Sequence, residues 1–404
     1  MRDVERHHCT DRTLRMSHRV LIVNVSFPPQ SKGGASRVIE DNIDCMIADE
    51  RYDACGVFCT LFGNNQPDRH ETWLHRGIPI FAVACPWLDD MERLVQRDDI
   101  VGPFTRFLDR VQPDLVHFHC IQRMGLELVE AVKARGIPSI LTMHDGWWVA
   151  DDLFMIDQDL QPAIYNYRAR EPAAARNRMD ALSAAISKFD RVLTVSQTFR
   201  DILVSTGLCD EIVVNENGVS PFATQSKSAT KKVRLLYMGG VDARKGYHLL
   251  RAAVLKAQLS HVHITVIDHA RREGFSRDGR WGDTDVCTIG YVPTEKVASL
   301  YADSDVVVVP SLWPESFNLV SREASLADCW VLASNLGAAA DHIVSGINGY
   351  TFGVENAEEL IGLLHALDRD PLRFTTPPPT ASLRPVSTQY KELQKIYDEV
   401  LHDQ

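Results

Sequence analysis

Arg19-Val-Leu-Ile-Val-Asn-Val-Ser26, followed by Phe27-Pro-Pro-Gln-Ser-Lys-Gly-Gly34, decides how this chain is read. The first eight residues are a nearly continuous apolar run, the pattern of a parallel strand buried on both faces. Two prolines and two glycines then forbid regular structure. Ala35 to Ala48 reads as a helix, with Val38, Ile39, Ile43, Met46 and Ile47 on one side. Strand, glycine loop, helix is the opening of a doubly wound α/β unit.

Outward from that unit the alternation continues. Ala54 to Leu61, Ile78 to Ala84, Asp114 to His119, Ser139 to His144 and Arg191 to Ser196 read as strands. Met124 to Arg135 and Asn177 to Lys188 read as helices, and another helix carries Phe199 and Ile202. A polar, turn-rich stretch follows Glu216-Asn-Gly-Val-Ser-Pro221, and the alternation restarts at Val233-Arg-Leu-Leu-Tyr-Met. Strands are expected at His263 to Ile267, Val286 to Ile289, Ser304 to Val309 and Cys329 to Ser334. Helices are expected at Gly246 to Leu259, Glu295 to Ala302 and Ser387 to Leu401. The resulting division is a loose extension at 1–16, a first domain at 17–216, a linker at 217–230, a second domain at 231–376 and a trailing helical segment at 377–404. Two α/β halves of this kind imply two Rossmann-like sheets facing a cleft.

Composition narrows the function. The chain has 404 residues, 45% of them apolar and 24% charged, with a formal net charge of −11. That is ordinary for a globular protein, and it does not favour a basic nucleic-acid surface. Nine cysteines without a CxxC pair exclude a disulfide scaffold and the common zinc ribbons, and they fit a reducing cytosol. No apolar run reaches the roughly 18 residues a spanning helix needs. The charged start, Met1-Arg-Asp-Val-Glu-Arg, is not a secretory signal.

Ligands of open α/β sheets sit beyond the carboxyl ends of the strands. Those ends supply Ser26 and Gly33-Gly34, His117 and His119, His144-Asp145, Ser196, Gly239-Gly240, Gly290 and Pro310-Ser311. His117 and His119 alternate along one strand, so they face one side. His117 is expected in the core, and His119, nearer the strand end, is the functional candidate. Trp147 and Trp148 either stack on a ligand ring or pack in the core. The stretch from Asp151 to Arg176, with Phe154, Ile156, Ile164 and Tyr165 among charges, either covers an acceptor, touches a bilayer or is a surface excursion. Neither glycine loop is GxGxxG, so a dinucleotide fingerprint is absent.

In the second half, Arg244 and Lys245 sit in a loop that opens a helix. Cations gain nothing from that end of a helix dipole. Either the loop is simply solvated, or the cations await an anion such as a diphosphate. The sharpest stretch is Pro310-Ser-Leu-Trp-Pro-Glu315-Ser-Phe-Asn-Leu-Val-Ser-Arg-Glu323-Ala. Pro314 breaks any helix through this point, so Glu315 lies in a loop and a helix begins near Phe317 or Asn318. Glu315 then stands at a helix mouth beside the free N–H groups of Phe317, Asn318 and Leu319, which suit phosphate oxygens. Glu323, deeper in the helix, can accept two hydroxyl hydrogen bonds, as a ribose offers. Asp303-Ser-Asp305 matches the letters of a metal-binding DxD motif, but it opens a buried strand and reads as structural.

These motifs, in this order and spacing, resemble the retaining glycosyltransferases of family 4, which have the GT-B fold. The resemblance runs from about Arg19 to Val400. It rests on the Glu315-x7-Glu323 segment, the Pro-Pro-x-x-x-Gly-Gly loop, Asp114-Leu-Val-His-x-His, Thr142-Met-His-Asp-Gly-Trp-Trp, Asn217-Gly-Val, Arg244-Lys-Gly and Gly337-Ala-Ala-Ala-Asp341-His-Ile-Val-x-Gly-x-x-Gly349. It implies two Rossmann-like domains with a C-terminal helix crossing back to the first.

The resemblance also implies roles. A UDP-, GDP- or dTDP-sugar would be held by the second domain and a saccharide or lipid-linked saccharide acceptor by the first. Lys245 and Arg244 would neutralise the diphosphate, and Glu323 would take the ribose. Glu315, with Ser316, Phe317, Asn318 and Leu319, would hold the sugar and phosphate. Gly240, Tyr291 and Val292 would line the nucleotide site, and Gly33 and Gly34 would close on the diphosphate. His119 or His144 would stand near the reacting carbon, with Asp145, Trp147 and Trp148 towards the acceptor. The chemistry would be a front-face transfer that keeps the anomeric configuration and needs no cofactor or metal. A cytoplasmic place in bacterial polysaccharide, glycolipid or other glycoconjugate biosynthesis would follow. A lipid-linked acceptor would add peripheral contact with the inner leaflet of the plasma membrane. Two positions depart from the pattern: Gly240 stands where many relatives have arginine, and Ser220 where an acidic residue is common. A nucleotide-dependent oxidoreductase, a catalytically silent scaffold of the same fold, and a nucleotide-sugar epimerase, hydrolase or phosphorylase are the competing readings.

Overall fold

The computed structural model describes residues 17–31, 33–61, 69–221, 227, 230–379 and 382–402. The expected extension at 1–16, Lys32 of the glycine loop and most of the polar stretch after Pro221 lie outside the described residues. The chain forms two compact units. One runs to Leu141 and also takes Lys188–Asp190 and the end of the chain from Ile396; the other holds Thr142–Ser187 and Arg191–Lys395. Compactness thus groups Thr142–Ser187 with the later residues, whereas the sequence expectation placed 17–216 in one domain. One tie behind this grouping is the Phe154 ring, which meets the Trp313 ring edge-on with centroids 5.0 Å apart.

In the first unit, β1 (His18–Val23), β2 (Tyr52–Leu61), β3 (His70–His75), β4 (Ile78–Ala84), β5 (Leu115–Phe118) and β6 (Ser139–Met143) appear in the order β3-β4-β2-β1-β5-β6. All pair in parallel except β3, an antiparallel edge. Helices α1 (Gly34–Ile47), α2 (Asp98–Val111) and α3 (Glu127–Lys133) connect them. Phe58 stacks on Phe81 and meets Phe104 edge-on, so aromatic burial fixes α2 on the sheet. Parallel strands buried on both faces read as continuous apolar runs, which is why β1 is so legible.

The second unit carries α4 (Arg176–Ile186), β7 (Arg191–Thr194), α5 (Gln197–Ser205) and the two-residue β8 (Val213–Val214). Its large sheet contains β9 (Val233–Tyr237), β10 (Val262–Ile267), β11 (Ser276–Trp281), β12 (Thr284–Ile289), β13 (Val306–Val309), β14 (Trp330–Ser334) and β15 (Gly349–Phe352). Their order is β11-β12-β10-β9-β13-β14-β15. Around them run α6 (Tyr247–Ala257), α7 (Thr294–Ala302), α8 (Leu319–Leu326), α9 (Ala357–Arg369) and α10 (Pro371–Thr375). The period of two is plain in the core. Leu235, Tyr237, Val306 and Val308 fill one face, while Leu236, Val307 and Val309 fill the other. Each such side chain contributes roughly 1.5–3 kcal/mol by leaving water.

In both sheets the chain winds outward from a central pair. β1 has β2 on one side and β5 on the other; β9 has β10 on one side and β13 on the other. Such switch points leave room for ligands at the strands' carboxyl ends. The last helix, α11 (Val386–His402), begins in the second unit and ends in the first. Early in it the Gln389 side chain accepts from the Gly218 N–H at 2.8 Å; late in it the Tyr397 hydroxyl meets His117 Nδ1 at 2.7 Å. Asp303-Ser-Asp305 serves structure: Asp305 takes a two-pronged ion pair from Arg234, at 2.7 Å for the shorter contact. Among the described residues, no helix is long and apolar enough to cross a membrane.

Candidate functional site

The switch point of the second unit gathers most of the donor-side candidates. β9 and β13 are hydrogen-bonded neighbours, so the loops that leave their carboxyl ends must meet. From β9 comes Gly239-Gly240, with Arg244 and Lys245; from β13 come Ser311, Trp313 and Glu315. Lys245 Nζ lies 2.9 Å from Glu315 Oε1, and the Ser311 hydroxyl donates to the same oxygen at 2.6 Å. Glu315 is 4% exposed, so its charge is balanced by one cation and one hydroxyl rather than by water. Arg244 is held by both oxygens of Asp242, at 2.9 and 3.1 Å. That pairing holds the Asp242 carboxyl below the usual range against the upward push of its burial.

Two glycines make this meeting possible. A Cβ on Gly246 would lie 1.8 Å from the Pro310 carbonyl oxygen, and its φ is +77°. A Cβ on Gly337 would lie 2.3 Å from the Glu315 carbonyl oxygen, and its φ is +65°. Glu315 and Gly337 thereby form a strand-like bridge, with the Ala338 N–H donating to the Glu315 carbonyl at 2.7 Å.

The helix behind Glu315 begins at Leu319, slightly later than the expected Phe317 or Asn318. Asn318 is the reason. It takes a positive φ of 66°, which asparagine tolerates, and its side chain accepts from the Ser321 N–H at 2.9 Å as an N-cap. Arg322 fixes this turn from within the helix. Its guanidinium lies 3.8 Å over the Phe317 ring and donates to the carbonyls of Phe317, Asn318 and Ala338. Burial pulls its pKa down to about 10, so it stays charged at neutral pH. Glu323 is 1% exposed, and its Oε2 accepts from the Tyr301 hydroxyl at 2.9 Å. Tyr291 and Val292 follow the end of β12, half-buried, with the Tyr291 N–H donated to the Arg271 carbonyl at 3.0 Å.

His144 and Asp145, which also fall in the second unit, follow directly on β6. Burial lowers the His144 pKa to about 4, so the ring is neutral near pH 7. Asp145 caps the following turn by accepting from the Trp147 N–H at 3.0 Å. Trp147 and Trp148 are both buried and edge-on to each other, with the Arg178 guanidinium 5.0 Å from the Trp147 ring. The stretch after Asp151 is folded down rather than splayed: Met155, Ile156 and Tyr165 are buried. Its Phe154 ring lies 4.0 Å from the Arg244 guanidinium carbon.

The first unit has its own arrangement. His119 follows β5 and is stacked on His117, ring centroids 4.1 Å apart; both are buried. The loop after β1 is tied to the end of β5 by Asn24, whose Oδ1 accepts from the Cys120 N–H at 3.1 Å. Gly33 caps α1 with an ordinary φ of −81°, and a Cβ there would meet nothing within 4 Å. Neither strain nor internal crowding therefore requires glycine at that position. Gly34 opens the helix.

Sequence reasoning did not single out Asp242, Tyr301, Arg322 or Asn24, and it named Phe154 only within the excursion after Asp151. Tyr301, Asn24 and Phe154 act through contacts between distant parts of the chain, whereas Asp242 holds Arg244 two residues on. Ser311 was visible as a strand-end hydroxyl. Among the described residues, no group of three or more His, Cys, Asp and Glu side chains is placed to hold a metal ion.

Residues 32–221 match the family model described as Glycosyltransferase Family 4, and residues 221–373 match the model described as Glycosyl transferases group 1. A glycogen synthase of Mycobacterium tuberculosis is 25% identical over 385 residues, which covers 87% of this chain and 86% of that protein. Among solved structures, a sucrose-phosphate synthase of Thermosynechococcus elongatus superposes with a TM-score of 0.71 at 15% identity, covering 96% of this chain and 100% of that one. The Anabaena protein HepE, in complex with UDP and glucose, superposes with a TM-score of 0.65 at 16% identity, covering 95% and 100%. These likenesses carry the fold: two Rossmann-like domains in the GT-B arrangement.

Proposed function

We propose that this chain, which belongs to the GT-B glycosyltransferases of the family 4 type, moves a sugar from a nucleotide-diphosphate sugar to an acceptor hydroxyl with retention of configuration. The observation that carries the donor reading is the meeting of Lys245, Ser311 and Glu315 at the ends of β9 and β13, beside the start of α8. A buried carboxylate and a partly exposed lysine at a strand-end switch point suit a ligand that is sugar at one end and anionic at the other. The names of relatives support this reading: HepE is described with UDP and glucose, and the mycobacterial relative is a glycogen synthase.

In the proposed step, the bond between the anomeric carbon and the diphosphate oxygen breaks, and the electron pair leaves with the diphosphate. The acceptor oxygen attacks from the same face, and its proton passes to the departing phosphate oxygen. Lys245, Arg244 and the amides before α8 stabilise the charge that develops on the leaving group. Anion binding draws Lys245 from Glu315, which leaves Glu315 to accept a sugar hydroxyl. Glu323, held by Tyr301, takes the ribose. Neutral His144 and the stacked His119 are placed in this scheme near the reacting carbon and the acceptor, and Gly33-Gly34 closes on the diphosphate. The acceptor is a saccharide or a lipid-linked saccharide of polysaccharide or glycolipid synthesis, and the chemistry needs no metal.

The test is a panel of UDP-, ADP-, GDP- and dTDP-sugars, scored by thermal shift and by release of the nucleoside diphosphate. At least one should raise the melting temperature and be turned over. Glu323→Ala should lose that shift while the ligand-free fold is kept. A wild-type protein indifferent to the whole panel would falsify the reading.

A further inference from the structure

We propose that Phe154 and Trp313 form an aromatic seat for the donor's diphosphate, in which Phe154 positions Arg244 and Trp313 gives its indole N–H to a diphosphate oxygen. The inference rests on the donor reading above and deepens it. Trp313 is 5% exposed, and its Nε1 has no acceptor among the described residues. A buried N–H without an acceptor is costly, and native structures keep few of them. Lys245 Nζ lies 4.8 Å from the centre of that indole, so an anion drawn to Lys245 arrives beside it. The cation stands over the ring face and the N–H is out of solvent contact, so in the proposed seat the indole turns to bring its N–H to the oxygen that Lys245 draws in.

Phe154 completes the seat from about 90 residues away in the chain. Its ring meets Trp313 edge-on, with centroids 5.0 Å apart. Arg244 Cζ is 4.0 Å from the Phe154 centroid, and Lys245 Nζ is 6.0 Å from it. Each cation already has one carboxylate, Asp242 for Arg244 and Glu315 for Lys245. A further carboxylate would leave the cluster net negative and repel an anionic ligand. An aromatic face attracts a cation without supplying a formal charge, so the position is fixed while the charge stays available to a ligand. Long side chains otherwise lose rotamer freedom when they bind, and a seat that restrains Arg244 beforehand removes part of that cost.

The experiment is calorimetric titration of the full chain with UDP, UDP-glucose, ADP and, as a control without phosphate, uridine. Wild type is compared with Trp313→Phe, Phe154→Leu and Phe154→Tyr. Trp313→Phe keeps an aromatic ring, though a smaller one, and drops the N–H. It should weaken UDP or ADP binding by about tenfold and leave uridine unchanged, with the ligand-free melting temperature lowered only by the lost ring volume. Phe154→Leu should raise the donor KM about threefold to tenfold with the turnover number within about twofold, and Phe154→Tyr should restore it. Full retention of diphosphate affinity in Trp313→Phe and Phe154→Leu overturns the seat. So does an equal loss of uridine and UDP affinity in Trp313→Phe, since disturbed packing then explains both. A wild-type protein that binds none of the nucleotides defeats the donor reading itself, a result distinct from the behaviour of the variants.

Discussion

At the switch point between β1 and β5, the chain places a glycine loop, an asparagine tie and two stacked imidazoles. At the equivalent point between β9 and β13 it places two cations, two carboxylates and two aromatic rings. The backbones follow one plan, and the side chains divide the labour. At the second, Lys245 and Arg244 are each already paired with a carboxylate. On the proposed function, an incoming diphosphate competes for those cations at the second site, and the acceptor hydroxyl belongs to the first.

The largest effect should come from breaking the charged site. Lys245→Ala removes the cation nearest Glu315 and should lower turnover of the responding nucleotide sugar by about 10²–10³-fold. The ligand-free melting temperature is the companion measurement; a variant that loses activity only because it unfolds would remove Lys245 from the chemistry.

Next in size is a pH effect confined to the second unit. Burial lowers both His144 and His342 to about 4, with Arg322 adding to the effect at His342. In an unfolded chain such a ring takes its proton near pH 6.5. The folded form resists protonation, so stability is complete above about pH 6.5 and falls as pH drops towards 4. Each ring contributes up to about 3 kcal/mol to that loss. Thermal melts from pH 7.5 to 4.5 should show the decline, and His342→Asn should flatten part of it. A His342→Asn profile that overlays wild type contradicts the assignment.

The glycine loop offers a subtler break. Gly33→Ala should leave the ligand-free melting temperature unchanged, because its Cβ would enter open space at an ordinary φ. If the loop closes on the donor, the same methyl should cost about tenfold in donor affinity through overpacking. Affinity equal to wild type would show that the loop stays clear of the ligand.

Much of this was legible in the sequence, for a physical reason. Strands buried on both faces announce themselves as apolar runs, so β1, β9, β13 and β14 were found within a few residues. The edge strands β3 and β11 were missed. His-Glu-Thr-Trp-Leu-His and Ser-Arg-Asp-Gly-Arg-Trp each bury one face at most, and they read as polar loops. β15, α9 and α10 were also missed, although the apolar spacing of Leu360, Ile361, Leu364 and Leu367 was there to be counted. At the candidate site, Glu315 and Glu323 stood out because proline and a helix start constrain what can lie around them. The pairing of Phe154 with Arg244 did not, because an aromatic ring from one excursion finding a guanidinium about 90 residues later is a property of the fold alone.

The smallest expected effect concerns the first unit's stacked pair. Tyr397, on the last turns of α11, is fully buried and meets His117 Nδ1 through its hydroxyl at 2.7 Å. The His117 ring in turn lies against His119. Tyr397→Phe keeps the ring and removes one hydrogen bond, which should cost about 1 kcal/mol of stability. If the two switch points are independent in their work, donor affinity should not change. Acceptor KM should rise modestly, because His119 loses part of what fixes its neighbour. An unchanged acceptor KM together with weakened donor binding would reverse the division of labour between the two sheets.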